Sequence, residues 1–322
     1  MRRLVIISIA AVIGLLSTSC ERKILLQPGH KHGSEIRITL DLEAEMDAEC
    51  GDNPTMYNDI LATAGSVTVI AYPKSETAKY VVQKITGTSG SIWLFPGVYD
   101  LMVYTSDFYE LDGVYYRGTD KLETTEAYTT SVKAVSKDAT DSKSKAAYIM
   151  EYPDPLFRGV CKNFEVVKNV THDLKVQVDP LSYKYWFHVD VEGLDYITSA
   201  TLQIDGMYTT VFMANGEHRD DEYGKQSVET TIHKEENMVK GEFFSFGPHQ
   251  DSDVKNSMLL TFVNGRTINI QLDDISTDIK KLTKGGEIII EQKIVINVGD
   301  DGAGFVPSVE PWEEDEVTIP IW

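Results

Sequence analysis

The chain has 322 residues and a mass of 36.0 kDa, with 42% hydrophobic and 25% charged residues. This composition is typical of a folded protein and too apolar for a disordered one, and the length allows two domains. Its 30 basic and 50 acidic residues give a net charge of −20, which excludes nucleic acid as a partner and opposes an anionic membrane unless a covalent group attaches the chain.

The first twenty residues have the three parts of a secretory signal. Arg2 and Arg3 precede the apolar run 4–16, and small residues lead to Cys20. Such a run spans about 20 Å as a helix, less than the ~30 Å hydrocarbon core, which favours a signal peptide over a membrane span. The segment resembles a bacterial lipobox, with signal residues 1–19 removed and Cys20 lipidated. A plain signal peptide with an incidental cysteine is the alternative.

Residues 20–33 are predicted to form a lipidated tether. We expect acylation of Cys20 to hold the acidic chain at the outer membrane, with a surface-facing orientation left open. His30 and His32 could bind a metal weakly, although solvated histidines are favoured. In an oxidising compartment Cys50 and Cys161 could form a disulfide or remain two separate buried thiols.

Apolar residues alternate with period two through the body of the chain, which predicts an all-β fold of many short strands. The alternating sets lie at 36–42, 67–71, 93–95, 99–103, 174–178, 185–191, 202–204, 260–262, 268–272 and 294–298. Pro96-Gly97, Asp205-Gly206 and Asn264-Gly265 predict the turns of hairpins. Helical patterns are restricted to 43–49, 121–128 and 274–282.

The break at Asp179-Pro180 is the best candidate for a domain boundary. We predict an N-terminal β-sandwich over 34–180 and a C-terminal β-sandwich over 181–299. An acidic tail over 300–322 follows them. The polar stretches 133–145 and 215–226 are predicted to be loops.

The tail ends in a second candidate site. Val317, Ile319 and Ile321 alternate before Trp322, and Pro320 between them suits an edge strand. This strand could dock on the second domain of its own chain, which is the favoured interpretation. It could instead add to the open sheet edge of a partner as an interaction strand.

The motifs of common enzymes are absent, so we expect no catalytic site, no cofactor and no metal site. The sequence has no HExxH, P-loop, GxSxG or dinucleotide-binding fingerprint. Acidic pairs at 251/253 and 300/301 lack the spacing of a calcium loop. One aromatic set could contact glycans or proteins, although ordinary packing is favoured. Its members are Tyr104, Phe108, Tyr109, Tyr115 and Tyr116.

Several segments in the same order resemble the fimbrillin-like lipoproteins of the Bacteroidota. Residues 94–104 match the "fPGxYdllvy" hairpin of that family, and 154–157 resemble the segment before its inter-domain crossover. Residues 187–194 fit the opening of its second domain. The ending 302–322 is similar to members of unassigned function.

The resemblance implies two tandem transthyretin-like β-sandwich domains and association with type V pili as a shaft, tip or anchor protein. Polymerising members are cleaved at a basic site in the first domain, and Arg37 and Arg117 are the candidates in this chain. Neither lies in a convincing loop, which favours a fimbrial anchor, accessory subunit or surface adhesin that contacts pilin subunits. The alternative is a surface lipoprotein that binds glycans or host proteins and is unrelated to pili.

Overall fold

The computed structural model describes residues 33–42, 56–75, 78–106, 113–133, 148–252, 255–272, 279–298 and 305–311. Strands dominate these residues, which confirms the predicted all-β fold class. Among the residues described, no helix has both the length and the apolar character needed to cross a bilayer.

We call the described residues up to Pro180 the first half of the chain and those after it the second half. The strands of the first half are β1 (Ser34–Leu42), β2 (Ser66–Pro73), β3 (Val81–Thr86), β4 (Ser89–Leu94), β5 (Gly97–Ser106), β6 (Tyr115–Arg117), β7 (Glu126–Tyr128), β8 (Ser131–Lys133), β9 (Tyr148–Met150), β10 (Phe157–Val166) and β11 (His172–Pro180). The strands of the second half are β12 (Tyr183–Glu192), β13 (Ile197–Tyr208), β14 (Thr210–Phe212), β15 (Tyr223–Glu229), β16 (Thr231–His233), β17 (Met238–Ser245), β18 (Asn256–Phe262), β19 (Thr267–Gln271), β20 (Gly286–Val298) and β21 (Phe305–Pro311). Helix α1 spans Met56–Ala62, and single 3-10 turns lie at Leu122–Thr124, Leu194–Tyr196 and Lys234–Glu236.

In the first half, one seven-stranded sheet wraps around its own hydrophobic core in the order β3-β2-β5-β10-β11-β1-β4. Its two edge strands, β3 and β4, come together. The Gln83 side chain donates from Nε2 to the Trp93 carbonyl at 2.7 Å, and its Oε1 accepts from the Trp93 amide at 3.1 Å. This side-chain amide therefore substitutes for a backbone pair and nearly closes the sheet. Helix α1 adds the buried Tyr57 to the core.

Strands β2 and β5 are buried on both faces. Val67 and Val69 face the core of the sheet, as the alternation predicts. Ile70 and Tyr72, on the opposite face of β2, are buried in a separate cluster that includes residues of the second half. A strand covered on both sides is continuously apolar rather than alternating, which explains the apolar runs at 69–71 and 101–103.

The second half is a β-sandwich. A five-stranded sheet (β16-β17-β12-β20-β21) and a six-stranded sheet (β19-β18-β13-β15-β9-β8) share one hydrophobic core. The predicted inward face of β12 is confirmed, because Tyr185, Phe187 and Val189 are buried. His188 faces solvent between them, with its Nδ1 3.2 Å from a Glu287 carboxylate oxygen.

One predicted hairpin turn is confirmed and two are wrong. Pro96-Gly97 connects β4 to β5, but these strands do not pair with each other, because β4 pairs with β1 and β5 pairs with β2 and β10. Asn264-Gly265 joins β18 to β19, with Gly265 at φ +80°. Asp205-Gly206 is instead a β-bulge inside β13, where the register shifts between Ile204 and Met207. Strands β15 and β18 pair with β13 on its two sides, and this pairing carries the chain straight through the positive φ of Gly206.

Other sequence predictions also need correction. The stretch 215–226 is not entirely a loop, because β15 begins at Tyr223 and buries Gln226. The helical turn predicted near 121–128 is a single 3-10 turn at Leu122–Thr124, and strand β7 follows it. Helix α1 and strand β21 were not predicted. At 93–95 the apolar side chains point outward, because Ile92 and Leu94 are the buried residues of β4.

Main-chain hydrogen bonds join the two halves. Strand β9 pairs in parallel with β15, and β7 pairs with β14 in a small sheet of order β14-β7-β6. Residues before Pro180 therefore contribute strands to sheets of the second half, and the boundaries 34–180 and 181–299 stay predictions. The patterns at 43–49 and 274–278, residues 134–147 and the tail beyond 311 lie outside the described residues.

Candidate binding site at the junction of the two halves

A third hydrophobic core, which we call the junction core, lies between the halves. Its buried members are Ile70, Tyr72, Met102, Tyr104, Leu122, Ala127, Leu156, Leu181, Tyr208, Val211, Met213 and Phe246. They come from the outer face of β2 and β5, from the segment around β7, and from loops and short strands of the second half. The two halves therefore pack against each other through apolar side chains as well as through strand pairing.

A charged cluster covers one side of the junction. Glu126 is only 3% exposed and accepts hydrogen bonds from the guanidinium groups of Arg117 and Arg219. Arg117 also binds both carboxylate oxygens of Glu222, at 2.6 and 2.8 Å. Arg117 and Glu126 face each other across β6 and β7, whereas Arg219 and Glu222 belong to the second half. The cluster thus ties the halves together with paired charges.

The arginines determine the charge state of Glu126. Burial alone would raise the pKa of Glu126, but hydrogen bonds from Arg219 and Arg117, together with their positive charges, lower the pKa below its ordinary value of 4.5. The carboxylate is therefore ionised near neutral pH. A buried carboxylate stabilises a fold only while it is paired, so the contact depends on both arginines.

A cleft of about 250 Å³ opens beside the junction core. Its walls are the end of β2, the loop before β3, a part of β5 and the 3-10 turn at Leu122–Thr124 with the two residues before it. The lining residues are Tyr72, Pro73, Lys74, Ala78, Tyr80, Asp100, Asp120, Lys121, Leu122 and Glu123. The turn that carries the last four depends on Gly118, because at its φ of +65° a Cβ would lie 2.1 Å from the Thr124 carbonyl oxygen.

The cleft combines aromatic faces with charges of both signs. The rings of Tyr72 and Tyr80 lie 6.0 Å apart, and the Tyr72 hydroxyl is 3.0 Å from Thr125 Oγ1. Lys74 Nζ donates to Asp100 Oδ2 at 2.6 Å. The volume is below the roughly 300–1,000 Å³ of pockets for drug-sized ligands. The cleft therefore fits one sugar ring or one peptide side chain better than a nucleotide cofactor.

The predicted aromatic set is only partly a surface. Tyr104 is buried in the junction core, which raises its pKa to about 12, and its ring lies 4.8 Å from Tyr116. Tyr115 is exposed and lies 5.8 Å from Tyr128. Phe108 and Tyr109 lie outside the described residues. Packing in the junction core thus explains why an aromatic residue stands at Tyr104. Tyr72 and Tyr80, which line the cleft, were not identified from the sequence.

Both candidate cleavage residues lie within strands. Arg37 is in β1, where its guanidinium is 3.5 Å from Glu35 and 3.8 Å from Asp173. Arg117 is in β6 and belongs to the charged cluster. Glu126, the centre of that cluster, has no local sequence signal, because its arginine partners are set by the fold.

Most of the other sites predicted from the sequence lie outside the described residues. Cys20, Cys50 and the terminal strand with Val317, Ile319, Ile321 and Trp322 lie outside the described residues. Cys161 has a half-buried thiol that forms no disulfide with a described residue, and burial raises its pKa. Within the ranges that the structure describes, no group of three His, Cys, Asp or Glu side chains is placed to hold a metal.

A protein-family model described as "Domain of unknown function (DUF5119)" matches residues 19–229. The chain belongs to this family. A candidate fimbrium anchoring subunit, Fim4B of Bacteroides ovatus, is 23% identical over 235 residues. The match covers 72% of this chain and 62% of Fim4B, so the chain spans less than two thirds of that relative. The predicted resemblance of this DUF5119 chain to fimbrial proteins is thereby confirmed.

Among solved structures, a candidate adhesin from Bacteroides ovatus matches the chain with a TM-score of 0.54 at 19% identity. The match covers 84% of this chain and 91% of the adhesin. The two proteins therefore share a fold over nearly their whole lengths. This DUF5119 member thus adopts an architecture that is already known from a Bacteroides protein of the adhesin type.

Proposed function

We propose that the chain is a non-enzymatic anchor or accessory subunit of a fimbrium, lipidated at Cys20 and held at the outer membrane. The description of Fim4B as a fimbrium anchoring subunit supports this proposal. In this role the chain would contact pilin subunits on one side and lipid on the other. No part of the role requires a catalytic residue, a cofactor or a metal.

The position of β1 is the observation that supports anchoring best. Strand β1 begins at Ser34, shortly after Cys20, and lies inside the sheet rather than at its edge. It pairs in parallel with β11 over residues 36–42 and antiparallel with β4 over residues 34–39. Tension on a tether at Cys20 would act along β1 and shear both ladders at once, so many hydrogen bonds share the force.

The two arginines support an anchor over a polymerising shaft subunit. A protease must bind its substrate as an extended, unpaired segment, whereas Arg37 and Arg117 lie in paired strands. Cleavage at Arg37 would also remove part of β1 from the middle of a sheet. The chain is therefore suited to stay intact.

Replacement of Cys20 tests the anchoring role. In cells that express Cys20→Ala, we expect the protein to leave the outer-membrane fraction and to lose the mass of its acyl chains. Cys161→Ala is the matched control and should remain membrane-bound, because its thiol lies within β10. Retention of Cys20→Ala in the outer membrane would contradict the anchoring proposal.

Removal of the terminal strand tests the contact with other subunits. We propose that residues 317–322 form an interaction strand, and deletion should abolish co-purification of pilin subunits while leaving the thermal midpoint unchanged. If the deletion lowers the midpoint and leaves co-purification intact, the segment docks on its own chain instead. Absence of pilins from the intact protein's complexes would remove the fimbrial role itself.

The cleft favours a second candidate function, the binding of a glycan or of a host protein side chain. The tyrosine pair and the adjacent carboxylates are suited to a small polar ligand with one apolar face. Saturable binding on a glycan array that is lost in Tyr80→Ala would support it. Tyr115→Ala, an exposed tyrosine outside the cleft, should leave such binding intact.

A further inference from the structure

Exposed apolar side chains are concentrated at one end of the seven-stranded sheet. Among the residues described, twelve large hydrophobic side chains are exposed, and five of them lie in or beside two neighbouring turns. Trp93, Phe95 and Val98 flank the turn between β4 and β5. Val167 and Val170 lie in the turn between β10 and β11. We call these five residues the apolar tip.

The two turns are held side by side. Gly97 at the start of β5 pairs with Val166 at the end of β10. Each turn is also fixed internally. The Tyr99 hydroxyl donates to the Phe95 carbonyl at 3.0 Å, and the Val167 amide donates to His172 Nε2 at 3.1 Å. The apolar tip is therefore a built surface and not a pair of loose loops.

The amino-terminal strand enters the fold at the same place. The main chain of Ser34 pairs with Leu94 beside the first turn, and the Ser34 hydroxyl donates to the Val167 carbonyl at 2.6 Å in the second. Thirteen residues separate Cys20 from Ser34, and a chain of that length reaches at most about 45 Å when fully extended. An anchor at Cys20 would thus keep this end of the molecule within that distance of the bilayer.

The charges of the apolar tip differ from those of the whole chain. The chain carries 50 acidic residues, yet 93–99 contains no charged residue and 166–171 contains only Lys168. Glu35 faces Trp93 and Glu165 faces Val98 from the neighbouring strands, so carboxylates lie beside the two turns but not within them. Exposed Trp and Phe with an adjacent lysine is a composition found at a membrane interface. The tip also projects as two turns, which suits insertion between lipid headgroups better than capture of a protein side chain in a pocket.

We propose that the apolar tip rests in the headgroup region of the lipid bilayer and orients the anchored protein on the membrane. The proposal rests on the proposed function, because Cys20 must hold this end near the lipid. Two attachments, one covalent and one through the tip, hold a protein more firmly than either alone. They would also fix which surfaces of the molecule point away from the membrane.

Tryptophan fluorescence on tethered protein tests the proposal. The chain from residue 21 onward carries an amino-terminal polyhistidine segment and is bound to phosphatidylethanolamine and phosphatidylglycerol vesicles that contain nickel-chelating lipid. We expect brominated acyl chains to quench the emission, and Trp93→Phe to remove most of that quenching. The matched control Trp186→Phe, in β12 of the second half, should leave the quenching in place.

Substitution of the neighbouring residues sharpens the assay. Phe95→Ser combined with Val170→Ser should reduce the quenching of Trp93 by at least about half, because the tip would no longer enter the interface. Val263→Ser combined with Ile289→Ser changes two equally exposed side chains of the second half and should have no effect.

Two outcomes would overturn the proposal. The first is emission of Trp93 that is identical on brominated and ordinary vesicles. The second is emission that vesicles do not change but added pilin subunits do, since this would assign the tip to a protein partner. The nickel lipid replaces the natural anchor, so a failure of Cys20 acylation in cells would appear in fractionation and leave this measurement valid.

Discussion

The junction core buries the same kinds of apolar side chain that the apolar tip exposes to solvent. Phe246 is fully buried between the halves, whereas Phe95 is 56% exposed at the tip. At the junction the ionised Glu126 is buried with two arginines, whereas residues 93–99 and 166–171 of the tip contain no carboxylate. The first region is therefore organised to hold the two halves together, and the second is organised to meet something outside the chain.

Because of this contrast, residues of the junction core should affect the stability of the fold, and residues of the apolar tip should affect contact with a surface outside the chain. Junction residues are expected to contribute to the free energy of unfolding, because their surfaces are already removed from water in the folded chain. Tip residues contribute little to it, since they stay in water until a bilayer or another surface covers them. Substitutions of the same chemistry in the two regions should therefore give different results.

The largest difference is expected for the two phenylalanines. Phe246→Ala should lower the free energy of unfolding by about 3–5 kcal/mol, because it leaves a cavity in the junction core. Phe95→Ala should change the same free energy by less than about 0.5 kcal/mol. Urea denaturation of both variants measures the difference, and equal losses would contradict the distinction between the regions.

Removal of the buried carboxylate is the next largest effect. Glu126→Ala should cost about 2–3 kcal/mol, the lower end for a broken buried pair, because the arginine side chains are 41% and 42% exposed. The control Glu123→Ala removes an exposed carboxylate from the nearby 3-10 turn and should cost less than about 0.5 kcal/mol. A loss of the same size in both variants would mean that the charged cluster does not join the halves.

A smaller effect of opposite sign is expected in the second half. Gln226 is fully buried in β15, and in the described part of the chain neither its Oε1 nor its Nε2 has a hydrogen-bond partner. Gln226→Met should therefore raise the free energy of unfolding by about 1 kcal/mol, because it removes the cost of an unpaired amide. Gln203→Met, at a partly exposed position of β13, is the control and should be nearly neutral. Destabilisation by Gln226→Met would show that the amide is satisfied.

The most gradual effect is expected with pH. The pKa of Glu126 is lowered in the folded chain, so its contribution is fully present above the ordinary value of 4.5 and is lost as the pH falls through the lower, folded pKa. The wild-type chain should therefore lose more stability on acidification than Glu126→Gln does. Denaturation series across the acidic range measure this, and parallel curves for the two proteins would contradict it.

The sequence predicts the strands of this protein well where one face alone is buried. The alternation of β12 places Tyr185 and Phe187 correctly in the core, and Asn264-Gly265 correctly marks a hairpin. Both signals are local, because they depend only on the period of the pattern and on the backbone that a glycine permits.

The same signals fail where distant segments determine the outcome. Asp205-Gly206 has the sequence of a turn, but pairing with β15 and β18 converts it into a bulge. Trp93 belongs to an alternating pair, yet it faces outward because the buried face of β4 is that of Ile92 and Leu94. The junction core combines residues of both halves and the cleft combines separate segments of the first half, and no local pattern in the sequence brings them together.

The location of β1 has a consequence for the order in which the first half folds. Ser34 and Val167, which share a hydrogen bond, are 133 positions apart in the sequence. Strand β1 must therefore wait for β11, which is synthesised only after more than half of the chain. Until then only β4 can pair with β1, and the edge of β1 that β11 later covers is open to wrong partners. Completion of the seven-stranded sheet is thus a late event in the synthesis of the chain.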